Sequence, residues 1–519
     1  MLSFTLGVFI VALFSLSAVI GQDGHCGFDA HNEKLMAKYP DAGRIIHEQF
    51  MRVREGNFSV DRTAGCTIPV VVHVIHDGGV SNISYDQIQS AIDMLNEDYN
   101  KLNADTINVR NTTDAPFVPV AANVGVTFEL AKLDPNNNCT NGVVRHFSPT
   151  MMDDATDDVK KSSTGGFDGW PRDMYMNIWV VNSIESDGAG ITLGYAQFPQ
   201  VGAADTYGVV IRHDRMGNIG TAVSGDRTLS HELGHCLGLL HTFQGGCNEA
   251  EIFSGVATND CSAGGDYQCD TPPVVAAQWS CSTTQNTCNQ INTNDPYGID
   301  ALDQFENFMS YSPCQAMFSE DQKSSILGNF STISWMTTLT SPANATATGV
   351  GSPAVLCKAE FSSSNPLICA GSSVDYSDES YFNVTGRTWT FPGGTPSSST
   401  APNPSVVYNT PGIYSVTLDV TDGSGNVMTT ETDYVQVLAN PGIAPPITEG
   451  FESFTNITDN NEFFVEDEDG VETWKILDGV SSSGSKCVYI DNFGVTSSGT
   501  KDHLMSAPVD LSGVAASDQ

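Results

Sequence analysis

The sequence predicts a multidomain chain: an α/β (α+β) domain with a mixed sheet, followed by all-β sandwich domains. Three observations carry that prediction. A chain of 519 residues is longer than one hydrophobic core organises, so it divides into several domains. Apolar runs such as "IPVVVHVIHDGG" and "MYMNIWVVNS" interleave with a helix-period stretch, the order of βαβ units on a mixed sheet. Beyond "SPANATATGVGSPA" the pattern changes to short alternating segments between turn residues, the signature of sandwiches.

The elements follow in order. "MLSFTLGVFIVALFSLSAVIG" is apolar and ends in small residues, which predicts a secretory signal peptide over residues 1–21. Residues 22–62 hold "HNEKLMAKYPDAGRIIHEQFMRVRE", charged and helix-like; this stretch reads as a propeptide cut near Arg62. The main domain is expected over 63–340. It opens on a buried strand, and Ile88, Ile92, Leu95 and Tyr99 then recur at helical spacing. "VGVTFELAKLD", "MYMNIWVVNS", "ITLGYAQFP" and "YGVVIRHD" are its further strands. Residues 341–354 are small, polar and rich in Pro and Gly, so they read as a linker. Residues 355–440 form the sandwich, and 449–519 a partial jelly-roll-like β module.

Composition excludes some functions. With 22 basic against 61 acidic residues the formal charge is −39. Such a surface repels phosphate backbones and anionic lipid, so neither nucleic acid nor membrane is expected as a partner. Clustered carboxylates can instead hold calcium. A secreted chain pairs its cysteines, and 13 is an odd number, so one thiol is left over. Cys357 and Cys369 are candidates to pair with each other.

The chemistry is concentrated in "SHELGHCLGLLHTF", Ser230 to Phe243. His231 and His235 stand four apart and share one helical face. Glu232 lies next to that face, within reach of a water on a bound ion. Gly238 can end the helix in a left-handed conformation, which returns His241 as a third ligand. Three neutral imidazoles leave a fourth zinc position open to water, and Glu232 is placed to take that water's proton. Downstream, "ENFMSYSPCQAMF" carries Met309 and Tyr311. The motif followed by this turn resembles the metzincin metalloproteases. The resemblance implies that Met309 floors the metal site and that Tyr311 steadies the oxyanion.

Within the metzincins the chain resembles the pappalysins, in particular their shorter secreted members. The stretches that carry this run from about Cys66 to Trp335: "IPVVVHVIHDGG", "NGVVRH", "MNIWVV", "GYAQFP", "GVVIRHD", "RTLSHELGHCLGLLHTFQGGC", "CDTPP" and "NFMSYS". The resemblance implies a secreted zinc endopeptidase acting on proteins and peptides, made as a zymogen. It implies structural calcium near "CDTP", with Asp270 and Thr271 as candidates. It implies an upper-rim strand that binds extended substrate through Gly194, Tyr195 and Ala196. "HCGFD" resembles the start of the family's propeptides, with Cys26 as the thiolate that blocks the metal; Cys236 competes with Cys26 for the unpaired role. One departure stands out. Members that prefer Arg or Lys after the scissile bond carry acids just past the Met-turn tyrosine, where this chain has Ser312, Pro313 and Gln315. Pairing among Cys247, Cys261, Cys269, Cys281, Cys288 and Cys314 stays open. "WTFPGGTPSSSTAPNPSVVYNTPGIYSVTLDVTDGSGN" resembles a PKD domain, which implies extracellular polymer or surface contact through the C-terminal β domains. The rival class is an adhesion protein with a non-catalytic metal site.

Overall fold

A computed structural model describes residues 24–56, 66–148, 150–151, 153–154, 157–185 and 191–440. Beyond them it describes 442, 444–445, 448–459, 463–467, 473–481, 483–491 and 502–512. The expected signal peptide and the cut near Arg62 lie outside these residues. The chain divides into two compact units, Met1–Ser352 and Pro353–Gln519.

The first unit begins with β1 (Gly24–Cys26), α1 (Phe28–Lys38) and α2 (Ala42–Glu55). Strand β2 (Cys66–His76) follows, with interior residues buried on both faces, as a central strand of a mostly parallel sheet must be. Helix α3 (Tyr85–Tyr99) starts where the Ser84 side chain accepts from Gln87 N. Its Ile88, Ile92, Leu95 and Tyr99 are buried as the spacing predicts. Then come β3 (Val126–Leu130), β4 (Val143–Phe147), β5 (Asp153–Asp154), β6 (Met176–Val181), β7 (Ser183–Ile184), β8 (Ile191–Ala196) and β9 (Val209–Arg212). Helices α4 (Thr228–Cys236), α5 (Glu320–Thr332), α6 (Ser334–Leu339) and α7 (Pro342–Thr348) complete the unit.

The main sheet runs β1-β8-β9-β6-β2-β3, with β4 also paired to β2. The pairs among β2, β3, β4, β6 and β9 are parallel, whereas β8 is antiparallel to β9. Strand β8 lies between β9 and the N-terminal strand β1, which pairs with it in parallel register. Behind the sheet, α3 and α4 share one core with β2, β3 and β6, including Val70, Leu95, Leu229 and Leu233.

Two sequence expectations need correction. Residues 342–348 are a helix of the first unit rather than linker. Ser341 caps it, Pro342 sits in its first turn, Gly349 ends it at φ +75°, and Thr348 O accepts from Lys132 N and Leu133 N. Parity of the cysteines also misled. Cys26, Cys236, Cys369 and Cys487 are all free thiols, so the expected Cys357–Cys369 bridge does not form. The open pairings resolve as Cys247–Cys288, Cys261–Cys269 and Cys281–Cys314.

The second unit holds β10 (Phe361–Ser363), β11 (Leu367–Cys369), β12 (Ser372–Asp378), β13 (Gly386–Thr390), β14 (Gly394–Thr395), β15 (Ser398–Ser399), β16 (Ser405–Tyr408), β17 (Gly412–Thr421) and β18 (Asn426–Leu438). They form two sheets, β10-β12-β16-β14 and β11-β18-β17-β13-β15. Inward residues such as Val374, Trp389, Val406, Leu418 and Val435 fill the space between them, the alternation expected of a sandwich. Farther on, β19 (Phe463–Asp467) pairs with β22 (Asp502–Ser506), and β20 (Lys475–Asp478) with β21 (Lys486–Tyr489).

Candidate active site

Helix α4 is short and entirely buried from Leu229 to Cys236. It is held from three sides: Tyr99 Oη donates to Ser230 O at 3.1 Å, Tyr207 Oη to Cys236 O at 2.6 Å, and Asn329 Nδ2 to Leu237 O at 2.9 Å. Gly238 follows at φ +96°, and a Cβ there would lie 2.2 Å from Asn329 Nδ2. Only glycine accepts both constraints, so the chain turns there and His241 comes back to the face of His231 and His235.

The three Nε2 atoms stand 3.1–3.2 Å from one another. His231 Nδ1 lies 2.7 Å from Phe308 O, and His235 Nδ1 2.8 Å from Leu239 O. A carbonyl accepts only, so both Nδ1 atoms carry the proton and both Nε2 atoms are bare lone pairs. Burial lowers the His231 pKa to about 3 and pushes His235 well below the usual range, so the rings stay neutral. Neutral imidazoles with lone pairs aimed at one point, their outer nitrogens fixed by carbonyls, are the donor set a zinc ion requires. Cys26 Sγ joins them, all four ligand atoms lying within 4.8 Å of one another. Among the described residues this is the one such group of His, Cys, Asp or Glu side chains.

Glu232 is fully buried, and neither carboxylate oxygen has an N–H or O–H partner. Burial raises its pKa to about 8, with the Cys26 thiol working against that. Gly194 of β8 leaves room for it: a Cβ there would sit 3.1 Å from Glu232 Cγ. Met309 lies under the helix, where a Cβ on Gly234 would come within 2.4 Å of its Sδ. The Tyr311 ring stands 4.9 Å from that of His241 and 5.6 Å from that of His231. Its hydroxyl donates to Cys26 O at 3.2 Å.

The N-terminal segment expected as propeptide fills this site with more residues than the cysteine motif suggested. Cys26 pairs with Gly194, and Gly27 N donates to Gly194 O at 2.7 Å. Phe28 stacks on His235 with centroids 3.8 Å apart and planes 6° from parallel. Asp29 Oδ1 faces His241 Nδ1 at 3.3 Å. Helix α2 buries Ile46 and Phe50 against Phe198, Val201, Leu240 and Tyr267. Phe28 and Asp29 escaped the sequence reading because nothing local marks a residue that acts on a helix two hundred positions away. Of the three expected substrate-strand residues, Gly194 takes a propeptide partner. All three pair with β9, through Ile211, Val210 and Val209, and of them the β1 register reaches Gly194 alone. The β8 residues that β1 covers are Ile191, Thr192 and Gly194.

Asp270 and Thr271, the calcium candidates, are both buried. Asp270 accepts from Ser319 Oγ at 2.5 Å and from Asp321 N at 2.9 Å, so it caps α5. Thr271 Oγ1 donates to Asp266 Oδ2 at 2.7 Å. Two buried acids nearby, Asp266 and Glu249, had no sequence signal; burial pushes Glu249 up to about 8 and Asp266 well above the carboxylate range.

Residues 158–329 match the peptidase M43 family model described as pregnancy-associated plasma protein-A. A Tannerella forsythia promirolysin mutant of solved structure is 30% identical, with 63% of this chain and 99% of that chain covered and a TM-score of 0.50. This chain is a pappalysin-family metalloprotease. An extracellular metalloprotease of Arthroderma gypseum is 26% identical over 322 residues, 61% of this pappalysin and 86% of the relative. Another, extracellular metalloprotease 1 of Coccidioides posadasii, is 27% identical over 316 residues, 56% and 90% of the two chains. Residues 359–437 match the PKD domain model. No helix among the described residues is long and apolar enough to cross a membrane.

Proposed function

We propose that this pappalysin is a secreted zymogen whose mature form cuts proteins and peptides with zinc held by His231, His235 and His241. The observation that carries the reading is the convergence of three imidazole lone pairs, 3.1–3.2 Å apart, beside a buried carboxylate without an N–H or O–H donor. A bound zinc supplies Lewis acidity, which acidifies water and polarises a carbonyl. Glu232 then acts as the base for the attacking water and returns the proton to the leaving amine. Its dry setting suits this role, since a base near neutral pKa both takes and gives a proton readily. Tyr311, whose hydroxyl is occupied by Cys26 O in the zymogen, becomes free to donate to the developing oxyanion. The edge of β8 offers its backbone to an extended substrate once β1 leaves. Until then Cys26 occupies the open ligand position and Phe28 and Asp29 seal the site. Met309 holds the apolar floor.

Structural calcium near Asp270 and Thr271 belongs to the same reading. Its support is the resemblance, together with the buried acid Asp266, whose ionised form is disfavoured by burial first and then by the charges of Glu249 and Asp270. The PKD-like sandwich is assigned to contact with extracellular polymers or surfaces.

The test is cleavage of a denatured protein by protein freed of its propeptide, with and without a chelator. Cleavage that the chelator stops and added zinc restores supports the reading. Protein that binds one equivalent of zinc and cuts nothing overturns it.

A further inference from the structure

We infer that the cavity beside His231 selects substrates with an acidic or amide side chain immediately after the scissile bond. The inference deepens the endopeptidase reading and rests on it. The cavity measures about 480 Å³, more than ten times the ~30 Å³ share of one water, so it holds a long side chain. It lies along Leu193 of β8, with His25 and Cys26 of the propeptide at its mouth.

The charged groups that line it, propeptide aside, are Arg215, Asp226 and Arg227. Asp226 is already committed. Its Oδ2 accepts from Arg215 Nη1 at 2.9 Å and its Oδ1 from Thr228 N at 2.9 Å. Both guanidiniums are held by carboxylates: Arg215 by Asp226, which lines the cavity, with Asp214 farther off, and Arg227 by Asp98 and Asp105, which do not line it. Arg215 Nε is 3.7 Å from Asp214 Oδ1. Arg227 Nε is 3.2 Å from Asp98 Oδ1, and its Nη2 donates to Asp105 Oδ2 at 3.2 Å. A guanidinium carries five N–H donors, so each keeps donors that these carboxylates do not use. The opposite wall adds no acid. It is built from Ser312, Pro313 and Gln315, and Gln315 Nε2 is spent on the Phe308 and Ser310 carbonyls.

An entering Lys or Arg side chain therefore meets like charge and one carboxylate already bonded twice. A Glu, Asp, Gln or Asn side chain meets free donors, and a charge-assisted bond is the stronger kind. The formal charge of −39 disfavours acidic substrates at long range, but salt screens that field beyond about 8 Å, and the contact inside the cavity decides. Register places the side chain. Propeptide residue Cys26 stands opposite Gly194 at the histidine cluster, and His25 stands opposite Thr192. A substrate antiparallel to β8, opposite in direction to the propeptide, puts the residue after the cut on the Thr192 and Leu193 side, at the cavity mouth.

The experiment is cleavage-site sequencing of a diverse peptide library by the mature enzyme, its Arg215→Gln variant and its Pro313→Asp variant. Pro313 is exposed, so that substitution leaves the fold intact even if Arg215→Gln does not. The expected result is an enrichment of about tenfold for Glu, Asp, Gln and Asn just after the cut, weaker in Arg215→Gln and displaced toward Lys and Arg in Pro313→Asp. Cleavage with Lys or Arg favoured there by the parent enzyme, or with no preference, overturns the inference and leaves the endopeptidase reading standing. Absence of any cleavage by zinc-loaded enzyme overturns both.

Discussion

The catalytic unit and the sandwich at 353–440 treat buried polar groups differently. In the sandwich they are paired. Trp389 Nε1 donates to Ala401 O at 2.9 Å, the Tyr376 and Tyr408 hydroxyls lie 3.0 Å apart, and Arg387 Nε donates to Asp378 Oδ2 at 2.6 Å. Among the described residues, none of the buried side-chain nitrogens and oxygens left without a hydrogen bond falls within 353–440. In the catalytic unit many lack a hydrogen bond: both Glu232 oxygens, His241 Nδ1 and His31 Nε2 near the histidine cluster, and others elsewhere in the unit, among them His73 Nδ1, Ser81 Oγ, Asn286 Oδ1 and Asp303 Oδ2. Burying an unpartnered polar group costs free energy, and the catalytic unit carries that cost both at the histidine cluster and away from it, whereas the sandwich does not.

The largest effect expected from breaking this contrast is at Glu232. Glu232→Gln keeps the shape and removes the base, and a positioned general base contributes about 10²–10⁴-fold. Turnover of a denatured protein is expected to fall by that factor while zinc still binds and the melting temperature holds or rises. Equal loss of zinc would show that Glu232 acts on the ligands instead of on water. A smaller effect, on stability and not on turnover, is expected in the sandwich. Asp378→Ala strands Arg387, whose partner side chain is 4% exposed, and removes the acceptor for Ser380 N. Losing a buried charged partner of this kind costs about 3 kcal/mol. Calorimetry of the second unit reads that loss; an unchanged transition would mean that water replaces the carboxylate, and the contrast between the units would weaken.

Much of the site was legible because its signals are local. His231 and His235 share a face by helical geometry alone, and Gly238 turns the chain for a reason that its own backbone states. Strand β2 and helix α3 were equally readable, since their burial follows from periodicity. The terminal helix at 342–348 was readable too and was missed. Ser-Pro at its start and Gly349 at its end are capping signals, but a composition of Ala, Thr and Asn hid them behind the look of a linker. What could not be read is what long-range packing assembles. Asp29 meets His241 across more than half of the first unit, and Glu249 and Asp266 come together in loops that the Cys247–Cys288 and Cys261–Cys269 disulfides cross-link. Free thiols at Cys26, Cys236, Cys369 and Cys487 defeated a parity rule that leaves one cysteine unmatched.

The smallest of the expected effects concerns His31, the histidine of α1 that packs against the catalytic domain. It sits on α1 with its side chain 12% exposed, its Nε2 3.7 Å from Asp157 Oδ2. The groups that face it are Asp157, which favours its charged form, Lys160 and Lys34, which oppose it, and the Tyr195 ring at 4.7 Å. Burial outweighs the carboxylate and lowers the His31 pKa from 6.5 to about 4, while Asp157, at about 2, stays ionised. The docked propeptide therefore binds the proton more weakly than the released one does. Docking is at full strength above pH 6.5 and weakens as pH falls from there toward 4. At pH 5 the loss is about 2 kcal/mol, roughly 30-fold in the docking equilibrium. Zymogen nicked after α2 and passed over a sizing column should keep its propeptide at pH 7.5 and shed part of it at pH 5, and His31→Gln should flatten that dependence. The sandwich has no histidine between 353 and 440, so its melting temperature should stay level across the same window. Should the propeptide still shed in acid from His31→Gln, the sensitivity resides in the histidine cluster itself, and the unpartnered ring of His31 would be a packing defect instead of a release point.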